Sequence, residues 1–358
     1  MSSLDPLAGK IPVTLITGFL GAGKTTLITH LLRHPDTGRV AVVVNEIGEV
    51  GIDNDIIKMS SENVSLLANG CLCCSVRTDL QETLRELFGE RRAGQIPDFD
   101  RVIIETTGLA DPAPVIQTLS SDGMLGAHYR LDGVVTLVDA LNALSQLQRS
   151  PEAERQIALA DRIFITKADL AGPDAMPALQ AAVRAINARA DIGPCTLGDL
   201  HPRELLGLGL ASARANAATL RFLGEGAAAA DEAAYLGQRL PARHDPAVKT
   251  LSLRFVEPFT WAAFTAAMEL VIALRGQDLL RVKGIINVQG QAVVVQGVGH
   301  VFHPPVTLDR WPSADTQSRL VFIARNLEAD ALRALFGAAS ALRATAPDSP
   351  AGAPTSPR

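Results

Sequence analysis

Three groups of residues in this 358-residue chain have the types and spacing that chemistry needs. The first is Thr17-Gly18-Phe19-Leu20-Gly21-Ala22-Gly23-Lys24-Thr25-Thr26, a GxxxxGKT pattern between a β-branched apolar run, 11–17, and a segment with helical apolar spacing, 27–32. Glycines in such a loop let backbone N–H groups turn inward onto phosphate oxygens. Lys24 then neutralises the β and γ phosphates, and the Thr25 hydroxyl is placed to ligate Mg²⁺. Gly18, Gly21, Ala22, Gly23, Lys24, Thr25 and Thr26 are therefore the expected phosphate-binding residues of a nucleotide site.

The second group reads the nucleotide. The run Arg101-Val102-Ile103-Ile104-Glu105 ends in a carboxylate and continues into Thr106-Thr107-Gly108-Leu109-Ala110-Asp111-Pro112. Glu105 at a strand end can hold Mg²⁺, through water, or orient the attacking water, and Gly108 lets an N–H approach the γ-phosphate. Lys24, Glu105 and Gly108 are the expected catalytic residues, with Thr25 and Glu105 serving Mg²⁺. A further strand, 162–166, delivers Thr166-Lys167-Ala168-Asp169, an NKxD-like pattern with Thr in place of Asn. Asp169 can accept hydrogen bonds from guanine N1–H and the exocyclic amine, and adenine offers neither donor there. Thr166, Lys167 and Asp169 thus predict GTP over ATP. No arginine finger is assignable, so hydrolysis is expected to be slow without a partner.

The third group is Cys71-Leu72-Cys73-Cys74, which holds three of the four cysteines within four residues and so makes a poor disulfide framework. It sits between a predicted strand, 64–68, and an amphipathic helix starting near Thr78, whose positive end favours the thiolate. Thiolates select Zn²⁺ or Cu⁺, and Co²⁺ less readily. Two or three sulfurs leave a tetrahedral site incomplete, and Glu46 or Glu49, in a loop at the same expected sheet edge, supplies the remainder. Since that loop is also where a nucleotide switch belongs, metal binding is expected to respond to nucleotide state. Packing of small apolar side chains and a redox dithiol are the competing readings of the cysteines, and Cys195 reads as core.

These groups need elements to hold them. Runs at 11–17, 39–45, 64–68, 101–105, 133–138 and 162–166 alternate with helical segments, which reads as an α/β fold, a doubly wound, mostly parallel P-loop sheet. A helix over 175–190, a strand near Cys195 and a helix over 205–220 complete a domain spanning 1–220. An Ala-, Gly- and Pro-bearing linker follows at 221–246. Residues 247–340 read as a smaller α+β domain with one sheet face covered, and 341–358 as a disordered tail. His300 and His303 read as ordinary strand or surface residues. A net charge of −5 without a basic block argues against nucleic acid. The absence of a signal-like start or a long charge-free run predicts a cytoplasmic chain without a membrane span.

Taken together, GFLGAGKTT, NEIGEV, NGCLCC, ETTGLADP and TKAD resemble the CobW-like P-loop GTPases, and the YjiA-type and zinc-chaperone members more than the cobalamin-pathway ones. The likeness extends to Leu279-Leu280-Arg281-Val282-Lys283-Gly284 and Val295-Gln296-Gly297-Val298 in the second domain. It implies a GTP/GDP cycle with Mg²⁺, coupled to delivery of Zn²⁺, or alternatively Co²⁺, to a metalloprotein client, with Cys71, Cys73 and Cys74 as the metal motif. The second domain is then a surface for the client or for self-association. Insertion of cobalt or iron in cobalamin synthesis or nitrile hydratase activation, a thiol redox switch, and a non-hydrolysing scaffold are the alternative functions. The His-rich stretch that many members carry between their domains is reduced here to His244.

Overall fold

Val- and Ile-rich runs buried on both faces assemble, in a computed structural model, into a doubly wound parallel sheet. The structure describes residues 9–45, 64–65, 77–172, 175–208 and 248–341. The expected ligands Glu46, Glu49, Cys71, Cys73 and Cys74, the linker, the tail and most of the expected 205–220 helix lie outside the described residues.

Seven strands form the first sheet: β1 (Ile11–Gly18), β2 (Val40–Asn45), β3 (Val64–Ser65), β4 (Arg101–Thr106), β5 (Tyr129–Asp139), β6 (Arg162–Thr166) and β7 (Asp191–Cys195). Their order is β3-β2-β4-β1-β5-β6-β7, and every ladder is parallel. Val13 and Leu15 of β1 join one core cluster and Ile16 joins the cluster on the opposite face, so helices cover both sides. These helices are α1 (Lys24–Arg33), α2 (Arg77–Arg92), α3 (Ala113–Ser121), α4 (Gly123–His128), α5 (Ala143–Arg149), α6 (Pro151–Ala158), α7 (Ala175–Ile186) and the short α8 (Pro202–Leu205). Cys195 is buried, as expected.

Helix α7 is shorter than the 175–190 that the sequence predicts. Asn187 stops it: the fully buried side chain donates to the carbonyls of Ile157, Ala158 and Ala160, and its Oδ1 accepts the N–H groups of Arg189 and Ala190. By accepting those two N–H groups, Oδ1 takes the place of the backbone carbonyls that a continued helix would offer them. Leu206 to Leu208 are likewise not helical, so the expected 205–220 helix does not start at Leu205.

The second sheet is antiparallel. It comprises β8 (Lys249–Phe255), β9 (Leu279–Val288), β10 (Gln291–Val298), β11 (Val301–Phe302), β12 (Val306–Thr307) and β13 (Ser318–Ala324), in the order β11-β10-β9-β13-β8, with β12 on β10. Gln289 and Gly290, both at positive φ, make the tight hairpin between β9 and β10. Helices α9 (Trp261–Arg275) and α10 (Ala329–Ala341) cover one face through Phe259, Phe264, Phe322 and Phe336. The expectation of a single covered face is corrected. Ile285, Val294 and Val321 pack under Leu308 and Trp311, while Ile323 and Val298 pack against the first domain. Polar links cross the same boundary, including Gln117 to the Val298 carbonyl at 3.2 Å and Arg325 to Glu154 at 2.7 Å.

Candidate nucleotide site

Parallel register brings the ends of β1, β4, β5 and β6 to one edge of the sheet. Ile16 lies opposite Glu105, Gly18 opposite Leu137, and Asp139 opposite Thr166. Ligands of open parallel sheets bind outside such strand ends. At this edge β1 passes into the glycine loop, where Gly18, Gly21 and Gly23 all have positive φ. Gly18 is also a close approach, because a Cβ there would lie 2.4 Å from the Leu137 carbonyl oxygen. Gly23 opens α1, so the first N–H groups of the helix, over Lys24, Thr25 and Thr26, face the loop. Ala22 is buried behind it.

Lys24 is buried and folds back over the loop, with Nζ donating to the carbonyls of Gly18 at 2.9 Å and Phe19 at 3.3 Å. Burial lowers its pKa, and the nearby Glu105 charge works in the opposite direction. The cation is thus held next to exchangeable acceptors that phosphate oxygens can replace. Thr25 Oγ1 donates to Glu105 Oε1 at 3.0 Å. Two neighbouring ligands of an octahedral ion with bonds near 2.1 Å stand about 3 Å apart, so this hydroxyl–carboxylate pair fits Mg²⁺.

The segment after β4 leans on the glycine loop. Thr106 donates to Thr17 at 2.8 Å between the strand ends. At Gly108 an added Cβ would meet Leu20 N at 2.4 Å and Leu20 Cα at 2.6 Å. From the other side α6 holds the segment. Gln156 donates to the carbonyls of Gly108 and Ala110, each at 3.1 Å, and Arg155 pairs with Asp111 at 2.6 Å. Gly108→Ala must push the segment away from the P-loop backbone. We expect at least a ~10-fold loss of phosphate release with guanine-nucleotide affinity changed less than about threefold. Single-turnover hydrolysis beside fluorescent GDP titration checks this, and parallel losses in both would assign Gly108 to folding or binding instead.

Thr166 Oγ1 donates to the Ala22 carbonyl at 3.0 Å, tying the Thr-Lys-Ala-Asp loop to the phosphate loop. Lys167 adopts a left-handed φ of 56°, a conformation that costs a non-glycine residue about 1 kcal/mol. Its Nζ donates to Asp139 Oδ2 at 2.8 Å. Asp169 stands exposed in the following turn, Ala168–Leu170. Sequence reasoning missed Asp139, which is 1% exposed at the end of β5. It also accepts from Leu141 N–H and Asn142 Nδ2, each at 2.9 Å. Burial pushes its pKa up, but the hydrogen bonds from Lys167, Asn142 and Leu141 outweigh this and hold it below the ordinary carboxylate value. The available signal was an Asp ending the apolar strand that precedes the Lys-bearing one.

A glycine loop at the carboxyl edge of a parallel sheet, with a buried Lys and a Thr–Glu pair beside it, defines a P-loop nucleotide-binding protein. Residues 12–194 match the CobW/HypB/UreG nucleotide-binding domain, and residues 248–340 match the cobalamin synthesis protein cobW C-terminal domain. The chain belongs to the CobW family. It is 35% identical over 329 residues to the zinc chaperone YjiA of Escherichia coli (strain K12), covering 91% of this chain and 98% of that one. It is 32% identical over 368 residues to the zinc chaperone CobW of Pseudomonas aeruginosa, covering 90% of each. The crystal structure of Zn(II)-bound YjiA GTPase from E. coli superposes with a TM-score of 0.65 at 32% identity, covering 92% of this chain and 98% of that chain. Among the described residues, no helix is long and apolar enough to cross a membrane.

Proposed function

We propose that this chain is a GTP-hydrolysing metallochaperone that binds Zn²⁺ through Cys71, Cys73 and Cys74, with Glu46 or Glu49, and releases it to a metalloprotein client. Zn²⁺ is the cargo, and Mg²⁺ on Thr25 and Glu105 is the ion of the nucleotide. One observation carries the coupling. Helix α6 grips the segment that lies against the P-loop through Arg155 and Gln156, and grips the second domain through Glu154 and Arg325. Movement of that segment on loss of the γ-phosphate is thereby transmitted to the surface that meets the client. Kinship with proteins named zinc chaperones supports the choice of cargo.

The test is a titration of Zn²⁺ against a chromophoric chelator, in protein loaded with Mg²⁺·GTPγS and then with Mg²⁺·GDP, with Cys71→Ser as control. A ~100-fold difference between the nucleotide states is expected, about 2.7 kcal/mol of coupling, and the Ser variant should abolish it. Equal affinities in the two states would leave a GTPase that holds metal without gating it.

A further inference from the structure

Two histidines far apart in the sequence meet on the surface at the end of α1 away from the glycine loop. His34 follows α1, and Pro35 then prevents the helix from continuing. His201 caps α8, and its ring centroid lies 4.8 Å from that of His34. Asp36 stands between them, with Oδ2 3.2 Å from His201 Nε2. One ligand atom from each of His34, Asp36 and His201 lies within 4.8 Å of the others.

A tetrahedral ion with bonds of about 2.0–2.1 Å needs its ligand atoms about 3.3 Å apart. The His201–Asp36 edge already has that length. The remaining closure falls to His34 and is a matter of side-chain rotation, since the ring is only partly buried. His201 and Asp36 are 37% and 56% exposed, so solvent reaches a fourth position. Two imidazoles, one carboxylate and a water suit Zn²⁺, whereas Mg²⁺ prefers oxygen throughout.

We propose that His34, Asp36 and His201 form a second, exchange-labile Zn²⁺ site, distinct from the cysteine motif and the nucleotide edge. Its hydrogen bonds set its strength. The Nδ1 atoms of His34 and His201 accept the backbone N–H groups of Asp36 and Arg203 at 3.1 and 3.2 Å, so each neutral ring carries its proton on Nε2. When the ion takes Nε2, that proton moves to Nδ1 and the two N–H groups turn to water. Both bonds are exposed, so water replaces them at modest cost. The ion therefore binds more weakly than in a closed structural site, as suits cargo that must leave. The site also ties the end of α1 to the segment after β7, so occupancy stabilises the fold.

The test uses the full chain carrying Cys71→Ser, Cys73→Ser and Cys74→Ser, which removes the competing thiolates and makes the result independent of the cysteine reading. Zn²⁺ is titrated against a chromophoric chelator, and Co²⁺ is followed by its visible absorption. We expect one bound equivalent and a Zn²⁺-dependent rise in Tm. His34→Asn and His201→Asn, which keep an acceptor for each cap but remove the imidazole, should each weaken binding at least ~10-fold and cancel the Tm shift. Asp36→Asn, on an exposed turn, makes the same test without touching a cap, and His30→Asn on the same helix should change nothing. Absence of Zn²⁺ binding up to about 100 μM in this triple-serine chain, or binding indifferent to all three substitutions, would overturn the proposal.

Discussion

Asp169→Asn is expected to exchange guanine for xanthine as the preferred base. Guanine presents two donors, N1–H and the exocyclic amine, which a carboxylate accepts with both oxygens. Xanthine keeps N1–H but carries a carbonyl in place of the amine, which matches the one acceptor and one donor of an amide. Losing one charge-assisted hydrogen bond, reducing the other to a neutral one, and setting an amide N–H₂ against the guanine amine should cost about 3–4 kcal/mol, or some 10²–10³-fold in GTP affinity. XTP affinity should rise past that of GTP in the same variant. Asp139→Asn makes the informative comparison, because it loosens the seat of Lys167 without altering the base-reading group. That variant should weaken guanine nucleotides generally and gain nothing for xanthine. Competition of GDP, XDP and ADP against a fluorescent GDP analogue measures all three chains. If Asp169→Asn left the GDP:XDP ratio unchanged, Asp169 would not be the base reader.

The strands that carry this site were legible because parallel strands covered on both faces read as runs rich in Val and Ile, with the candidate site residues Gly18, Glu105 and Thr166 at or next to their carboxyl ends. Features that depend on pairing across long sequence distances were not legible. Asp139 meets Lys167 only through the β5–β6 register, and Asn187 reads as one more helical residue until the C-terminal end of α6 lies beside it. The second sheet misled for a sharper reason. In β9, Arg281 and Lys283 alternate with Val282, the pattern of a strand with one solvated face, yet both cations are buried. Period-two alternation reports which residues share a face, and says nothing of whether water or another domain's carboxylate lies opposite. His303 was read as strand or surface for the same reason, and it lies against Ser120 of the first domain.

That buried carboxylate, Asp161, carries the second large effect. Arg281 Nη2 lies 2.8 Å from Asp161 Oδ2 and Lys283 Nζ 2.5 Å from Oδ1, with all three side chains 5% exposed or less. Arg281 also donates to the Leu159 carbonyl, and Val134 N–H donates to Asp161 at 2.9 Å. Asp161→Asn leaves two buried cations facing a neutral amide, so we expect a loss of about 3–5 kcal/mol in urea unfolding. Replacing all three, with Asp161→Leu, Arg281→Met and Lys283→Met, should cost much less, since a buried ion cluster exchanged for apolar volume is close to neutral. A loss below about 1 kcal/mol in Asp161→Asn would mean that water already reaches the cluster. The pH profile separates this group from its neighbour. Burial pushes the Asp161 pKa up, but Arg281 and Lys283 more than reverse this and hold it at about 2. Its contribution is present above the ordinary 3.8 and is lost as pH falls from there toward 2. Burial, with Arg281 nearby, lowers His303 to about 4 from 6.5, so the unfolded chain binds the extra proton first and stability declines between pH 6.5 and 4, by at most about 3 kcal/mol. Acid unfolding should therefore proceed in two windows. His303→Gln should flatten the upper window, whereas Asp161→Asn should shrink the lower one and leave the upper in place, the rest of the lower loss coming from carboxylates such as Asp139 that are also held below their ordinary value.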